Sequence, residues 1–252
     1  MNITNKIIEN YIRNKIFLFL IIFIFSLTLT ISYFSYNVGN IFFGDMPKLY
    51  NVRLANFFFV NAAYPLIGKP VKFSHYQLSR TYFIQGDLKN ALEEAKKELE
   101  LYPENTRTHY ILGLTYGYMN EEEKAINAFS SFIETHPYTW AGRNDKAWLQ
   151  FRIGDIDGAL KTIEPVATST LGINNVWVQN TYGVLLMNKK RFREAKEAFK
   201  RAEKEVHTMT EEHWGLAYPG NDPRIYTAGI NATKLSIETN LKLIEEKIST
   251  KK

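Results

Sequence analysis

The chain has 252 residues, a formal net charge of +5 and no cysteine. The absence of cysteine excludes disulfides and thiolate metal sites, so any domain must be stable through packing alone. Hydrophobic residues make up 45% of the chain and charged residues 23%, which is typical of a globular protein. Lysine and glutamate are interspersed along it, and no basic run indicates nucleic-acid binding.

The first predicted element is an apolar segment, Ile16 to Phe34, that carries no charge. Roughly 19 helical residues at about 1.5 Å each match the apolar core of a bilayer, which is about 30 Å thick. Three basic residues lie before the segment, and the next basic residue after it is Lys48. We therefore predict one membrane-spanning helix over 16–36, with residues 1–15 in the cytoplasm and the remainder outside.

A cleaved signal peptide is the alternative interpretation of this segment. It requires a shorter apolar run and a cleavage site of the Ala-x-Ala type. The run is long, and the sequence at its end, SYFSYNVGN, contains no such site. An uncleaved anchor is therefore favoured.

Residues 37–71 are expected to hold a connector, marked by glycine and proline, followed by a degenerate repeat. Leu49 to Tyr64 is predicted to be a helix because Ala55, Phe59 and Ala62 recur at spacings of four and three. We interpret it as the surviving second helix of that repeat. The aromatic run that ends at Phe59 favours packing against the next repeat, with contact to the membrane surface as the alternative.

The segment from Lys72 to Thr139 repeats itself with a period of 34 residues. Seven positions match when it is written as two rows: His75/His109, Tyr76/Tyr110, Leu78/Leu112, Tyr82/Tyr116, Ala91/Ala125, Leu99/Ile133 and Pro103/Pro137. This period is typical of a helix–turn–helix unit that stacks into a solenoid.

Four such repeats are predicted, at 72–105, 106–139, 140–175 and 176–209. Gly86 and Gly154 should end the first helices of their repeats, each followed by an aspartate that caps the second helix. Asn120 takes the place of the glycine in the second repeat. Pro165 is expected to kink or shorten the second helix of the third repeat.

Residues 210–252 are predicted to form a loop and an amphipathic helix that covers the last apolar face of the array. The helix is expected to begin at Pro223, with Asn221 or Asp222 as its cap. Trp214 in the loop is interpreted as a packing anchor for this helix. The alternative is a lip at the end of a binding groove.

These features resemble tandem tetratricopeptide repeats (TPR) over residues 72–209. The match is carried by Leu78, Tyr82, Gly86, Ala91 and Pro103 in the first repeat and by Leu112, Gly113, Tyr116, Ala125, Phe129 and Pro137 in the second. His75 and His109 replace the tryptophan that the family has in the first helix. The resemblance implies an all-α fold, a right-handed solenoid of antiparallel helix pairs, preceded here by the transmembrane helix and closed by the C-terminal helix.

The resemblance also implies a concave groove, lined by the first helices, that binds a peptide from a partner protein. The positions expected to face the groove are mostly aromatic residues, arginines and asparagines, which suit an interface. They are Phe73, Tyr76, Arg80, Phe83, Arg107, Tyr110, Leu114, Tyr118, Asn144, Trp148, Phe151, Arg152, Trp177, Asn180, Val184 and Asn188. Several of these are expected to be core residues. A carboxylate clamp, known in one TPR subtype, is not expected because Tyr76 and Tyr110 occupy its positions.

The sequence contains no nucleophile elbow, phosphate-binding loop, carboxylate pair or metal-ligand spacing. No enzymatic activity, metal or small-molecule cofactor is therefore expected, and His75 and His109 are interpreted as packing residues. Two functions stay open. One is a single-pass membrane-anchored adaptor that binds a partner protein or peptide in the groove, and the other is a structural subunit of a membrane or cell-envelope complex, bound through the convex or juxtamembrane face.

Overall fold

The computed structural model describes residues 3–45, 47–217 and 229–249, and all regular elements in these ranges are helical. The α-helices in chain order are α1 Ile3–Asn40, α2 Val52–Ala63, α3 Ser74–Ile84, α4 Leu88–Leu101, α5 Thr108–Tyr118, α6 Glu122–Thr135, α7 Trp140–Arg152, α8 Ile156–Ala167, α9 Val176–Asn188, α10 Phe192–Val206, α11 Glu211–Ala217 and α12 Ile230–Ser249. A π-helical turn, Ile41–Asp45, and a 3₁₀ turn, Pro47–Leu49, join α1 to α2.

The helices pack in antiparallel pairs that stack in sequence order as a right-handed TPR-type solenoid. The pairs are α3/α4, α5/α6, α7/α8 and α9/α10, and α12 covers α10 at the C-terminal end. An alanine near the start of each second helix is fully buried, which lets the two helices of a pair approach closely. These residues are Ala91, Ala125, Ala159 and Ala195. Each of the four predicted repeat ranges contains one pair.

The turns within the repeats have the predicted geometry. Gly86, Asn120 and Gly154 adopt left-handed backbone conformations, with φ of 78°, 57° and 85°. Asp87 then caps α4 by accepting a hydrogen bond from the backbone of Asn90. In the fourth repeat Lys190 occupies this left-handed position with φ of 61°, although its residue type gives no such signal.

Pro165 shortens its helix without breaking it. Helix α8 continues through Pro165 to Ala167 and has 12 residues, whereas α4 and α6 have 14 each. Because the proline lies in the last turn, few backbone hydrogen bonds follow it and little is lost.

The stretch after the apolar segment differs from its prediction. The expected connector is helical as far as Asn40, and a Cβ atom on Gly39 would lie 2.6 Å from the ring of Phe59 on α2. The same close approach of glycine and phenylalanine joins the helices of two later repeats, at 2.7 Å in both Gly113/Phe129 and Gly183/Phe199. The end of α1 therefore acts as the first helix of a pair with α2, and the degenerate repeat has both of its helices.

Helix α2 packs as its alanine spacing predicts, between α1 and α3. Ala55, Phe59 and Ala62 are fully buried. Leu78 on α3 joins this cluster, so the aromatic run does contribute to packing against the first full repeat. Phe57 is the exception, because 60% of its surface is exposed.

The C-terminal segment closes the array. Trp214 on α11 is 4% exposed and its ring stacks on that of Trp177, with 4.5 Å between the ring centroids. Trp214 is therefore a packing residue, but it lies on a short helix and not in the loop that the sequence predicts, and its ring contact is with α9. Helix α12 begins at Ile230, after a non-helical Gly229, and its apolar face buries Ile230, Ile237, Leu241 and Ile244. The predicted start at Pro223, with its cap at Asn221 or Asp222, lies outside the described residues.

Helix α1 carries a continuous apolar surface. Every side chain from Ile12 to Leu27 is exposed, and most of them are isoleucine, leucine or phenylalanine. In the described residues α1 is the one helix that is long and apolar enough, by length and composition, to cross a membrane.

Candidate peptide-binding groove

The predicted groove residues fall into three groups by exposure. Exposed are Phe73, Arg107, Tyr118, Trp148, Arg152 and Asn188. Partly exposed are Tyr76, Arg80, Tyr110, Phe151, Trp177, Asn180 and Val184. Phe83, Leu114 and Asn144 are buried, so they support the surface from beneath.

A hollow of about 380 Å³ lies between the first helices of the second and third repeats, α5 and α7. Its floor is apolar and its walls combine two aromatic rings with polar groups. The lining residues are Gly113, Leu114, Gly117, Tyr118, Asn120, Phe129, Asp145, Trp148, Leu149 and Arg152. We call this space the central hollow.

Two aromatic side chains frame the central hollow and are held in place by other rings. Tyr118 makes an edge-on contact with Phe83, with 5.3 Å between centroids, and Trp148 packs on Phe151 at 5.5 Å. Tyr118 is 47% exposed and Trp148 is 44% exposed. Rings that are both exposed and pre-positioned lose little conformational entropy when a partner binds, so they suit an interface.

Asp145 lies in the central hollow, and the sequence analysis did not identify it. The hydroxyl of Tyr110 donates a hydrogen bond of 2.9 Å to its Oδ2. Burial raises the pKa of Asp145 to about 7, although hydrogen bonds with Tyr110 and Asn144 act in the opposite direction. A sequence signal existed, because Asp145, Trp148 and Arg152 are spaced by three and four residues and so share one face of α7.

The rim of the central hollow carries a positive charge that is tied to the neighbouring repeat. The Nη2 atom of Arg152 donates hydrogen bonds to Oε1 of Glu122 at 2.9 Å and to Oδ1 of Asn120 at 3.3 Å. The guanidinium of Arg152 is therefore oriented and partly neutralised by these contacts.

A second hollow, of about 410 Å³, lies where α3 and α5 begin. Its lining includes Tyr36 from α1, so the N-terminal helix contributes directly to this hollow. The other lining residues are Phe73, Tyr76, Gln77, Glu104, Asn105, Thr106, Arg107 and His136. More of its lining residues are polar than in the central hollow.

Arg80 is turned toward the N-terminal unit. Its guanidinium lies 4.6 Å from the ring centroid of Phe43 and 5.6 Å from that of Tyr76. Next to it, Nε2 of Gln77 donates a hydrogen bond of 2.6 Å to Oδ1 of Asn40. These contacts fix α3 against the end of α1, and they make Arg80 a packing residue as well as a groove residue.

The C-terminal end of the predicted groove is dominated by stacked indoles. Trp177 stands between Trp140 and Trp214, at centroid distances of 5.6 and 4.5 Å. The buried Oδ1 atom of Asn180 has no hydrogen-bond partner in the described ranges.

The two histidines of the repeat pattern differ in their surroundings. His75 is 2% exposed, and its Nδ1 lies 2.6 Å from Oε2 of the buried Glu94. His109 is half-buried, and burial lowers its pKa. In 3–45, 47–217 and 229–249 no group of three or more histidine, aspartate or glutamate side chains is placed to hold a metal ion.

The stacked helix pairs define the fold as a helical-repeat solenoid. Tetratricopeptide-repeat models match residues 74–105, 108–137 and 178–204. The chain therefore contains tetratricopeptide repeats, as the sequence resemblance implied.

The chain is 28% identical to the BBSome complex member BBS4 of Bos taurus over 129 residues. The match covers 51% of this chain and 24% of the bovine protein, so it spans about a quarter of that relative.

Solved structures confirm the fold. MamA AMB-1 is 18% identical with a TM-score of 0.56, and the match covers 72% of this chain and 94% of MamA. The MamA RS-1 ArsTM double mutant is 13% identical with a TM-score of 0.60, and the match covers 71% of this chain and 96% of that one. YrrB, a TPR protein with an unusual peptide-binding site, is 17% identical with a TM-score of 0.55, and the match covers 69% of this chain and 86% of YrrB. At these identities the likeness establishes the architecture alone.

Proposed function

We propose that the protein is a membrane-anchored TPR adaptor that binds a segment of a partner protein in its concave groove. The observation that carries this proposal is the central hollow, in which exposed Tyr118 and Trp148 stand over an apolar floor between two repeats. Aromatic anchors at the centre of an interface commonly contribute about 2 kcal/mol or more each to binding.

The chemistry of the central hollow favours a particular kind of segment. Its volume and floor suit one bulky apolar or aromatic side chain of the partner. Asp145 lies in the same space and its carboxyl group can accept a hydrogen bond. A lysine, arginine or backbone N–H of the partner placed beside it would stabilise its ionised form. We therefore expect a segment in which an apolar anchor lies beside a donor or positive charge.

The anchor in this proposal is α1. Its exposed apolar surface from Ile16 to Leu27 suits lipid, because water would not stabilise it. The basic residues Lys6, Arg13 and Lys15 before the span favour a cytoplasmic N-terminus and an extracytoplasmic solenoid. The groove would then receive its partner at the outer face of the membrane.

Affinity purification of the tagged full-length protein from its native membrane tests the proposal. The combined change Tyr118→Ala with Trp148→Ala should lose partners that the wild-type chain retains. Tyr110 is left unchanged because its bond to Asp145 makes it part of the scaffold. Phe57→Ala is the matched control, since it removes an exposed aromatic residue outside the groove.

The two variants also separate the competing functions. Retention by Phe57→Ala and loss by the double variant support the adaptor. The reverse pattern would overturn it and would favour a structural subunit that is bound through the juxtamembrane face. A photo-crosslinker introduced at position 148, compared with one at the exposed Asn127 on the outer helix α6, checks that the lost contact is direct.

A further inference from the structure

We propose that one edge of the solenoid, formed by the loops between repeats, lies in the interface of the lipid bilayer beside α1. This inter-repeat edge consists of the loops at 64–73, 102–107, 136–139 and 168–175, with the helix ends that flank them. The inference rests on the proposed membrane anchor and adds to it a fixed orientation of the groove.

The direction of the helices places this edge next to the apolar run of α1. Helix α1 ends at Asn40, beyond its apolar run, and α2 returns antiparallel to it. Gly39 meets Phe59 on α2, and one turn further along α2 Ala63 is buried. Ser35, one turn earlier on α1, is also buried. The loop that follows α2 therefore lies level with the last residues of the apolar run.

Later loops gather at the same end of the molecule. The hydroxyl of Tyr102, after α4, donates a hydrogen bond of 2.8 Å to the carbonyl of Pro70, in the loop before α3. Tyr36 of α1 lines the second hollow together with Arg107 from the next loop and His136 from the one after it. Three successive inter-repeat loops thus surround the point at which the apolar run of α1 ends.

The inter-repeat edge exposes large apolar side chains. Leu66 and Tyr138 are 89% and 80% exposed, the highest values for large hydrophobic residues in the described part of the chain. Leu101 and Leu171, at two other loops of this edge, are also about half exposed. Such side chains at loop tips are unfavourable in water, whereas leucine and tyrosine are stabilised at the boundary between lipid and headgroups.

The distribution of charge also distinguishes the two edges. Two loops of the inter-repeat edge, 136–139 and 168–175, carry no formal charge. The other two contain Lys69, Lys72, Arg107 and Glu104, with Glu104 paired with Lys72 at 2.7 Å, and the helix ends beside the loops add Glu100 and Glu134. On the opposite edge every turn within a repeat is charged, with Asp87, Glu121 and Asp155 in the first three turns and Lys189, Lys190 and Arg191 in the fourth. Loops with apolar tips and few charges suit the interface of a bilayer better than an edge with a charged turn in every repeat.

The chain has no cysteine, so single cysteines can report its position directly. Leu66→Cys and Tyr138→Cys sample the inter-repeat edge. Ile153→Cys is the matched control, because Ile153 is an exposed apolar residue on the opposite edge. Phe25→Cys reports the apolar run of α1. Each full-length variant is labelled with an environment-sensitive fluorophore and reconstituted in vesicles of phosphatidylcholine and phosphatidylglycerol, with and without nitroxide-labelled lipid.

We expect the fluorescence emission of the probes at positions 66 and 138 to shift to shorter wavelength. The nitroxide lipid should quench these two probes several-fold more than the probe at 153. If the probe at 25 is quenched while 66 and 138 behave like 153, the anchor stands and the edge inference is overturned. If the probe at 25 is not quenched either, the membrane anchor itself fails. Aqueous iodide should give the reciprocal order of quenching.

Discussion

The hydroxyl of Tyr110 on α5 donates a hydrogen bond of 2.9 Å to Oδ2 of Asp145 on α7. This bond joins the first helices of two successive repeats at the central hollow. Because Asp145 is largely withdrawn from water, its pKa is raised to about 7, so the carboxyl group titrates near neutral pH. The central hollow therefore contains a charge that depends on pH.

Asp145→Asn should change how stability depends on pH. The folded-state pKa is above the unfolded value of about 3.9, so the folded chain holds the proton more tightly. This contribution is fully present below the unfolded value and is lost as pH rises through about 7, with a slope of at most about 1.4 kcal/mol per pH unit. Compared with wild type, the variant should gain stability as pH rises from 5 to 8, which thermal unfolding in detergent measures.

Tyr110→Phe provides the control for this prediction. It removes a hydrogen bond that lowers the pKa of Asp145, so the pH-dependent region should move upward while Asp145 stays ionisable. Parallel stability curves for wild type and Asp145→Asn across this range would contradict the assignment.

Glu94 should give a pH effect of the opposite sign. Burial alone would raise the pKa of Glu94, but hydrogen bonds from His75, Tyr64 and Lys97 together lower it below its usual range. The stabilisation is present above the unfolded value and is lost as pH falls through the folded pKa. Glu94→Gln should therefore reduce the free energy of unfolding by about 1–3 kcal/mol at neutral pH.

Denaturant unfolding followed from pH 7 down to pH 3 distinguishes this effect from a general loss of packing. The difference between Glu94→Gln and wild type should shrink at the acidic end of this range, below the unfolded pKa. A difference that is constant over the whole range would show that the charge of Glu94 contributes nothing.

The repeat architecture could be predicted because the turn within most repeats is marked by residues that favour a left-handed backbone. Gly86 and Gly154 have left-handed backbone conformations at the predicted positions. Asn120 occupies the equivalent position of the 34-residue period and has the same conformation. Lys190 shows the limit, since its conformation follows from the position in the repeat and its residue type gives no sign of it.

The contact between Gly39 and Phe59 could not be predicted from the sequence, for a different reason. The segment around Gly39 has two roles, because it continues an apolar helix and is also the first helix of a helix pair. The π-helical and 3₁₀ turns lengthen the connection to α2, so the usual spacing between the glycine and the phenylalanine is lost. Asp145 was missed because the central hollow is formed by two repeats together, and contacts between repeats do not show in a one-dimensional period.

Gly39→Ala should destabilise the first helix pair. The added methyl group would lie 2.6 Å from the ring of Phe59, which is fully buried and cannot move freely. Overpacking of this kind costs about 1–3 kcal/mol, offset by about 0.5–1 kcal/mol from the better helix propensity of alanine. Thermal unfolding should show a lower midpoint for Gly39→Ala than for wild type.

Gly117→Ala is the matched control for this change, because Gly117 is also helical and a Cβ placed there meets its nearest atom, on Leu149, at 3.7 Å, an ordinary van der Waals contact. A second change, Phe59→Leu, should partly restore the stability of Gly39→Ala by making room for the methyl group. Equal midpoints for the two alanine variants would show that the close approach has no energetic consequence.

The point at which the chain is shortened should decide whether the solenoid stays soluble. A chain that begins at Lys48 follows the sequence-based division into anchor, connector and repeats, but it lacks the part of α1 that covers Phe59. Uncovering a buried phenylalanine costs about 1.5–3 kcal/mol and leaves an apolar face for association.

A chain that begins at Ser32 keeps the covering turns of α1 and loses only the exposed apolar run. In size-exclusion chromatography and thermal unfolding, the chain that starts at Ser32 should be monodisperse and more stable than the one that starts at Lys48. Equal behaviour of the two chains would contradict the role of α1 as the first helix of a repeat.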